Sequence, residues 1–134
     1  MATYRFPWLS SDYTENYYPS APVIPIEIAG PEMSDWIRVD EAFVDSGADW
    51  TIVPSSLIEQ IAATWRDRAW LRSQWGEPRL IRRFEIDVRI ADRTFPSLLV
   101  VEDDRGEEVI LGRNFLQYVR AMLDGPAGSL VLFE

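Results

Sequence analysis

At 134 residues, 47% of them hydrophobic and 13% aromatic, the chain has the size and composition of one globular domain and not of a disordered segment. It contains no cysteine and no histidine, which excludes disulfides, thiolate nucleophiles, Cys-based metal sites, His-dependent triads and HExxH zinc sites, and leaves acid–base chemistry to carboxylates or, failing them, tyrosine. The net charge of −9 argues against nucleic acid as a partner, and no run approaches the roughly 18 apolar residues of a membrane helix, so a soluble, cytoplasmic protein with no membrane contact, no metal and no cofactor is expected.

In chain order, residues 1–21 carry Tyr4, Phe6, Trp8, Tyr13, Tyr17 and Tyr18 between prolines without a steady period. They read as an N-terminal arm, packed or partly ordered, ahead of a domain spanning 22–134. Residues 22–28 alternate as a strand whose prolines place it near a sheet edge. Residues 36–44 form its hairpin partner and deliver Asp45. A helix is predicted over 55–65, opened by Pro54 or capped by Ser55 and Ser56, with Leu57, Ile58 and Ile61 at helical spacing.

Between 64 and 83, Trp65, Trp70 and Trp75 are interleaved with six arginines. A nucleic-acid stacking surface would use both residue types, but the chain is acidic and no RNA-binding motif accompanies them. Residues 84–90 alternate cleanly as a strand, 91–93 turn, and 94–101 return as its partner. The charge run 102–108 lacks the ligand spacing of an EF-hand and reads as a solvated loop. A short strand at 109–111, a helix over 114–119, and strands at 119–123 and 129–133 around a turn complete the chain.

Two stretches carry chemistry. Ala42-Phe43-Val44-Asp45-Ser46-Gly47-Ala48-Asp49 ends an apolar strand in an acid, which needs a physical reason because an unpaired buried charge is very costly. Alone, Asp-Ser-Gly is also a common turn in which the Asp side chain accepts from nearby backbone N–H groups. The later stretch Val109-Ile110-Leu111-Gly112-Arg113-Asn114-Phe115-Leu116 is an apolar strand ending in glycine and entering a helix.

In this order, with a β-rich segment between them, the pair resembles the retropepsin-like aspartic proteases. In that family Asp-(Thr or Ser)-Gly-Ala supplies the catalytic carboxylate, and (Ile or Leu)-Gly-Arg-(Asn or Asp) opens a supporting helix. The likeness extends from about 22 to 133, with the Leu123-Asp124-Gly125-Pro126 hairpin as a third landmark.

The resemblance implies a mainly β fold with two short helices, a retropepsin-like acid protease barrel. It assigns catalysis to Asp45, Ser46 and Gly47, substrate binding to Ala48, Asp49, Trp75 and Gly76, and support of the site to Gly112, Arg113 and Asn114. Trp75 and Gly76 enter through the flap, a hairpin closing over substrate, whose tip is expected near 74–78 although it is poorer in glycine than viral flaps. Ser46 would lock the loop to a second subunit, Asp49 would accept from peptide N–H groups, and Arg113 would pair with such an acid. Only one Asp-Ser-Gly occurs. The dyad therefore requires two copies of Asp45 sharing one proton across a two-fold axis.

The implied activity is that of a homodimeric aspartic endopeptidase acting on a peptide or protein with an activated water. The alternative is a non-catalytic module of the same fold that binds peptide or only dimerises. A glycosidase using Asp45 and Asp49 is more distant, since these acids are too close in sequence to flank a sugar bond.

Overall fold

From Phe84 onward every second residue of strand β6 (Arg79–Ile90) is buried, and those residues, Phe84, Ile86, Val88 and Ile90, line one side of the core. The structure, a computed structural model, describes residues 6–32, 35–72 and 76–134. Strands β2 (Val23–Ala29), β3 (Ile37–Val44), β8 (Ile110–Leu111), β4 (Thr51–Pro54), β7 (Arg93–Asp103) and β6 are hydrogen-bonded neighbours in that order. Pairing of Glu27, Ile28 and Ala29 with Arg89, Val88 and Asp87 returns β2 to β6 and closes the six strands into a barrel. Closure covers the edges that β2 and β6 would otherwise offer to other chains.

Strand β5 (Thr64–Leu71) pairs with the first half of β6 and has no other strand neighbour among the described residues. Because β7 pairs with β6 only from Arg83 onward, Arg79–Arg82 has β5 as its one strand partner among the described residues, and this hairpin extends past the barrel, tied back by Arg82 to Glu102 and by Arg79 to Asp104. Trp75, expected at the flap tip, lies outside the described residues; Gly76 is an exposed bend.

A second sheet places β10 (Ser129–Phe133) between β1 (Pro7–Asp12) and β9 (Arg120–Asp124), so part of the N-terminal arm is a strand. Leu130 and Leu132 of β10 join Ile24, Ile26, Ile28, Leu111 and Phe115 in one core. Each such side chain contributes about 1.5–3 kcal/mol by leaving water. Phe115 is fully buried, edge-on to Phe95 at 5.1 Å between ring centroids. No helix among the described residues is long and apolar enough to cross a membrane.

Three expectations need correction. Strand β2 is not at an edge: it pairs on both sides, and Pro25 sits at the register shift between Ile24 and Ile26, where its missing N–H is tolerated. Helix α1 (Ser55–Gln60) stops well short of 65, because Ala62 adopts a left-handed φ of 50° and Thr64 already belongs to β5. Helix α2 (Arg113–Leu116) starts one residue earlier and ends earlier than expected.

The barrel closure carries an ion pair. Arg89 donates from Nε and Nη2 to the two oxygens of Glu27, its partner in the β2–β6 register, at 3.1 and 2.9 Å. Hydrogen bonding from Arg89 lowers the Glu27 pKa, partly opposed by desolvation. A carboxyl held lower in the folded state stabilises above its unfolded-state pKa and ceases to do so as pH falls through the folded one. The stability gap between wild type and Glu27→Gln in urea titrations is therefore expected at neutral pH and lost in acid. A gap that is flat with pH refutes this assignment.

Candidate active site

Strands β3 and β8 run parallel, Phe43 beside Ile110 and Val44 beside Leu111, so both release their chains at one end of the barrel. From β3 the chain enters the loop 45–50; from β8 it enters α2. Two backbone bonds join these exits: Asp45 N–H donates to Leu111 O at 3.1 Å, and Arg113 N–H donates to Ala48 O at 2.8 Å. Between them the approach is so close that a Cβ on Gly112 would lie 2.4 Å from Trp50 O and 2.9 Å from Ala48 O. Only glycine allows this contact.

Beneath the loop is a polar knot. Thr51, 1% exposed, donates from Oγ1 to Asn114 Oδ1 at 2.9 Å and accepts from Gly112 N–H at 3.2 Å. Thr51 N–H also donates to Asn114 Oδ1, at 2.8 Å, and Asn114 Nδ2 donates to Leu99 O at 2.7 Å. One amide side chain thus ties together β4, α2 and β7. Among the described residues no buried side-chain nitrogen or oxygen lacks a partner.

On this base Asp45 faces solvent. Its Oδ1 accepts from Gly47 N–H at 2.8 Å, a charge-assisted bond that fixes the carboxylate over the turn. The acid at the end of an apolar strand is thus exposed in the single chain, not buried. Ser46 is exposed and makes no side-chain hydrogen bond among the described residues. Asp49 is ion-paired to Arg113 Nη2, which ties the loop to α2 a second time. Both partners are more than half exposed, so the pair orients the loop more than it stabilises the fold.

The β5–β6 hairpin is fastened to the same loop. The Arg83 guanidinium lies 5.4 Å from the Trp50 ring centroid, and Asp67 grips it with two bonds at 2.7 and 2.6 Å. A hollow of about 200 Å³ between loop and hairpin is lined by Ala48, Asp49, Trp50, Ile52, Leu71 and Val101, with Gly47 and Arg72. A second, of about 170 Å³, shares Ile52, Leu71 and Val101 and extends past Ile81 and Arg79. Together they form a groove with an apolar floor running from the Asp45 loop beneath the hairpin.

The structure therefore brings Asp45, Gly47, Ala48, Asp49, Gly112, Arg113 and Asn114 into one assembly. Ser46 sits on the loop with no side-chain hydrogen bond among the described residues, Gly76 lies toward the hairpin tip, and Trp75 is outside the described residues. Sequence reading passed over Thr51, Trp50 and Arg83. For Thr51 a signal existed, since a hydroxyl in the run Thr51-Ile52-Val53 must find a partner once buried. The Trp50–Arg83 contact has no local signal.

No protein-family model matches the sequence, and no curated protein is similar to it. Solved structures are similar in fold. A retropepsin-like aspartic protease from Rickettsia conorii superposes with a TM-score of 0.62 at 14% identity, covering 92% of this chain and 88% of that one. EIAV protease complexed with the inhibitor HBY-793 gives 0.53 at 14% identity, covering 81% and 93%. The retroviral protease-like domain of Ddi1 from Leishmania major gives 0.51 at 22% identity, covering 84% and 94%. The chain has the retropepsin-like fold.

Proposed function

We propose that the chain is an aspartic endopeptidase active as a homodimer, with Asp45 and its symmetry mate as the catalytic pair. The observation that carries this reading is the placement of Asp45: an exposed carboxylate at a strand end, oriented by Gly47 N–H, on a loop anchored by Gly112, Arg113 and Asn114. Such rigid support under an open acid is what a reacting group needs.

Two carboxylates brought together hold one proton between them. The ionised one takes a proton from water as the water oxygen attacks the peptide carbonyl carbon, and the protonated one gives its proton to the carbonyl oxygen. The tetrahedral diol then collapses: the carboxyl that took the proton from water gives it to the nitrogen, the other carboxylate takes a proton from a diol hydroxyl, and the C–N bond breaks to release an amine and a carboxylic acid, leaving the pair singly protonated as before. An extended substrate fits the groove beneath the hairpin, with Asp49 beside its main chain and Ile52, Leu71 and Val101 against its side chains.

Support for self-association comes from β9. It is the outer strand of the second sheet, one edge is free among the described residues, and Met122 and Leu123, on opposite faces, are 43% and 51% exposed. A free edge with exposed apolar side chains favours pairing with another chain. Strand β9 also follows α2 in sequence, so pairing there acts close to the support of Asp45.

Sedimentation equilibrium combined with peptide-library cleavage tests the reading. Wild type is expected to dimerise reversibly, with cleavage tracking the dimer fraction. Leu123→Glu is expected to weaken dimerisation tenfold or more, at least about 1.4 kcal/mol, with a parallel loss of cleavage at limiting concentration. A strict monomer that still cleaves would eliminate the shared dyad. A dimer that cleaves nothing from acid to neutral pH would leave the peptide-binding or dimerisation module.

A further inference from the structure

Trp50 lines a second hollow besides the groove. This one measures about 420 Å³ and is walled chiefly by Trp50, Phe95, Leu98, Tyr118, Asn114 and Gln117. A neighbouring hollow of about 450 Å³ shares Phe95, Gln117 and Tyr118 with it, so the depression continues along β7 toward the second sheet. The first hollow is in the size range of a specific ligand site, and its lining contains no acid or base.

Its other wall is backbone. Strand β7 pairs with β6 on one side, but on the other it meets β4 only from Val100 onward. Thr94 and Phe95 therefore have an edge that no described strand covers. The edge is short, because a bulge follows at Pro96 and Ser97: Ser97 takes a left-handed φ of 53° and turns its N–H to Asp87 Oδ1 at 2.9 Å. An uncovered stretch of strand beside a neutral aromatic pocket is suited to a polypeptide, whose backbone meets the edge while one side chain fills the pocket.

We infer that this hollow docks the substrate polypeptide outside the cleft. A large apolar or aromatic side chain, remote from the scissile bond, seats against Trp50, Phe95 and Tyr118, and its flanking backbone follows Thr94 and Phe95. Continuity argues for the substrate as occupant: Trp50 lines both this hollow and the groove beside Asp49, so a single side chain separates the two and a chain leaving the groove past Trp50 enters the second hollow. The inference rests on the peptidase reading. Asn114 makes the contact consequential, since the side chain forming part of the pocket wall also holds Thr51 beneath the catalytic loop.

The test compares a cleavable core peptide from a library with the same core extended by a short Gly/Ser segment bearing Phe, Leu or Ser at successive positions. At one register the Phe or Leu extension is expected to lower KM about tenfold at unchanged kcat. Tyr118 is 69% exposed, so Tyr118→Asp should fold normally, leave the kinetics of the core peptide unaltered and abolish the gain. Absence of a gain at every register, or a gain that survives Tyr118→Asp, overturns the docking site while cleavage of the core sustains the peptidase reading. If no peptide is cleaved, the peptidase reading has failed, and anisotropy with labelled Phe-extended and Ser-extended peptides decides the pocket. Binding that requires Phe and is lost in Tyr118→Asp retains it; equal binding overturns it. Self-association abolished by Tyr118→Asp with no peptide effect would assign the hollow to a second copy and likewise overturn the inference.

Discussion

Under the proposed dyad, Asp45→Asn is expected to lower peptide hydrolysis at least about a thousandfold without loss of folding or of the proposed dimer. The change preserves shape and an oxygen to accept from Gly47 N–H, while removing the ionised form that must take a proton from water. Asp45 is exposed, so stability should change by no more than about 0.5 kcal/mol. Wild type, variant and an equimolar mixture with exchanged subunits would be assayed on one peptide, with urea unfolding and sedimentation as controls. If both copies contribute to one site, as proposed, mixed dimers should be inactive, and activity should fall with the square of the wild-type fraction. Hydrolysis retained by the variant would remove the carboxylate pair from the mechanism, whatever the fold.

The largest expected effect on stability is at Asn114. Truncation to alanine strips Thr51 N–H and Leu99 O of their partners and removes one from the Thr51 hydroxyl, all at the seam of β4, β7 and α2. Two stranded, partly or fully buried groups at about 1–3 kcal/mol each put the loss at about 2–6 kcal/mol. Asn114→Asp should fall between wild type and alanine, because a carboxylate still accepts from Thr51 but cannot donate to Leu99 O. Urea midpoints measure the loss, and activity per folded molecule separates loop disorder from unfolding. A cost below about 0.5 kcal/mol for alanine would show that the knot does not hold the loop.

Both predictions concern residues legible from the sequence, because the elements around them are dictated locally. The alternation from Phe84 to Ile90 specifies a half-buried strand, and Gly112 marks a close approach that any side chain would block. What stayed illegible depends on contacts between distant segments. Strand β5 is hard to read because it extends past the barrel: exposure alternates from Arg66 to Leu71, but the residue types do not follow it, with Trp65 and Trp70 exposed and Asp67 among the more sheltered positions. The end of α1 was missed because the residue that turns there is alanine, which does not advertise a left-handed conformation. Pro25 suggested an edge, but a bulge removes the need for its N–H, and the ring closure through Glu27 and Arg89 joins residues 62 positions apart.

The dual attachment of β6 has a mechanical consequence for anything entering the groove. One half of this strand is a stave of the closed barrel, the other an arm of the cover, and Arg83 and Glu85 stand where β5 and β7 both grip it. The register break between Trp65 and Asp67 is at that same height on β5. Peeling β6 from β7 would breach the barrel, and Arg82 and Arg79 tie the extended half back to Glu102 and Asp104, so a chain entering the proposed groove would meet a hairpin braced along its length rather than hinged at its root.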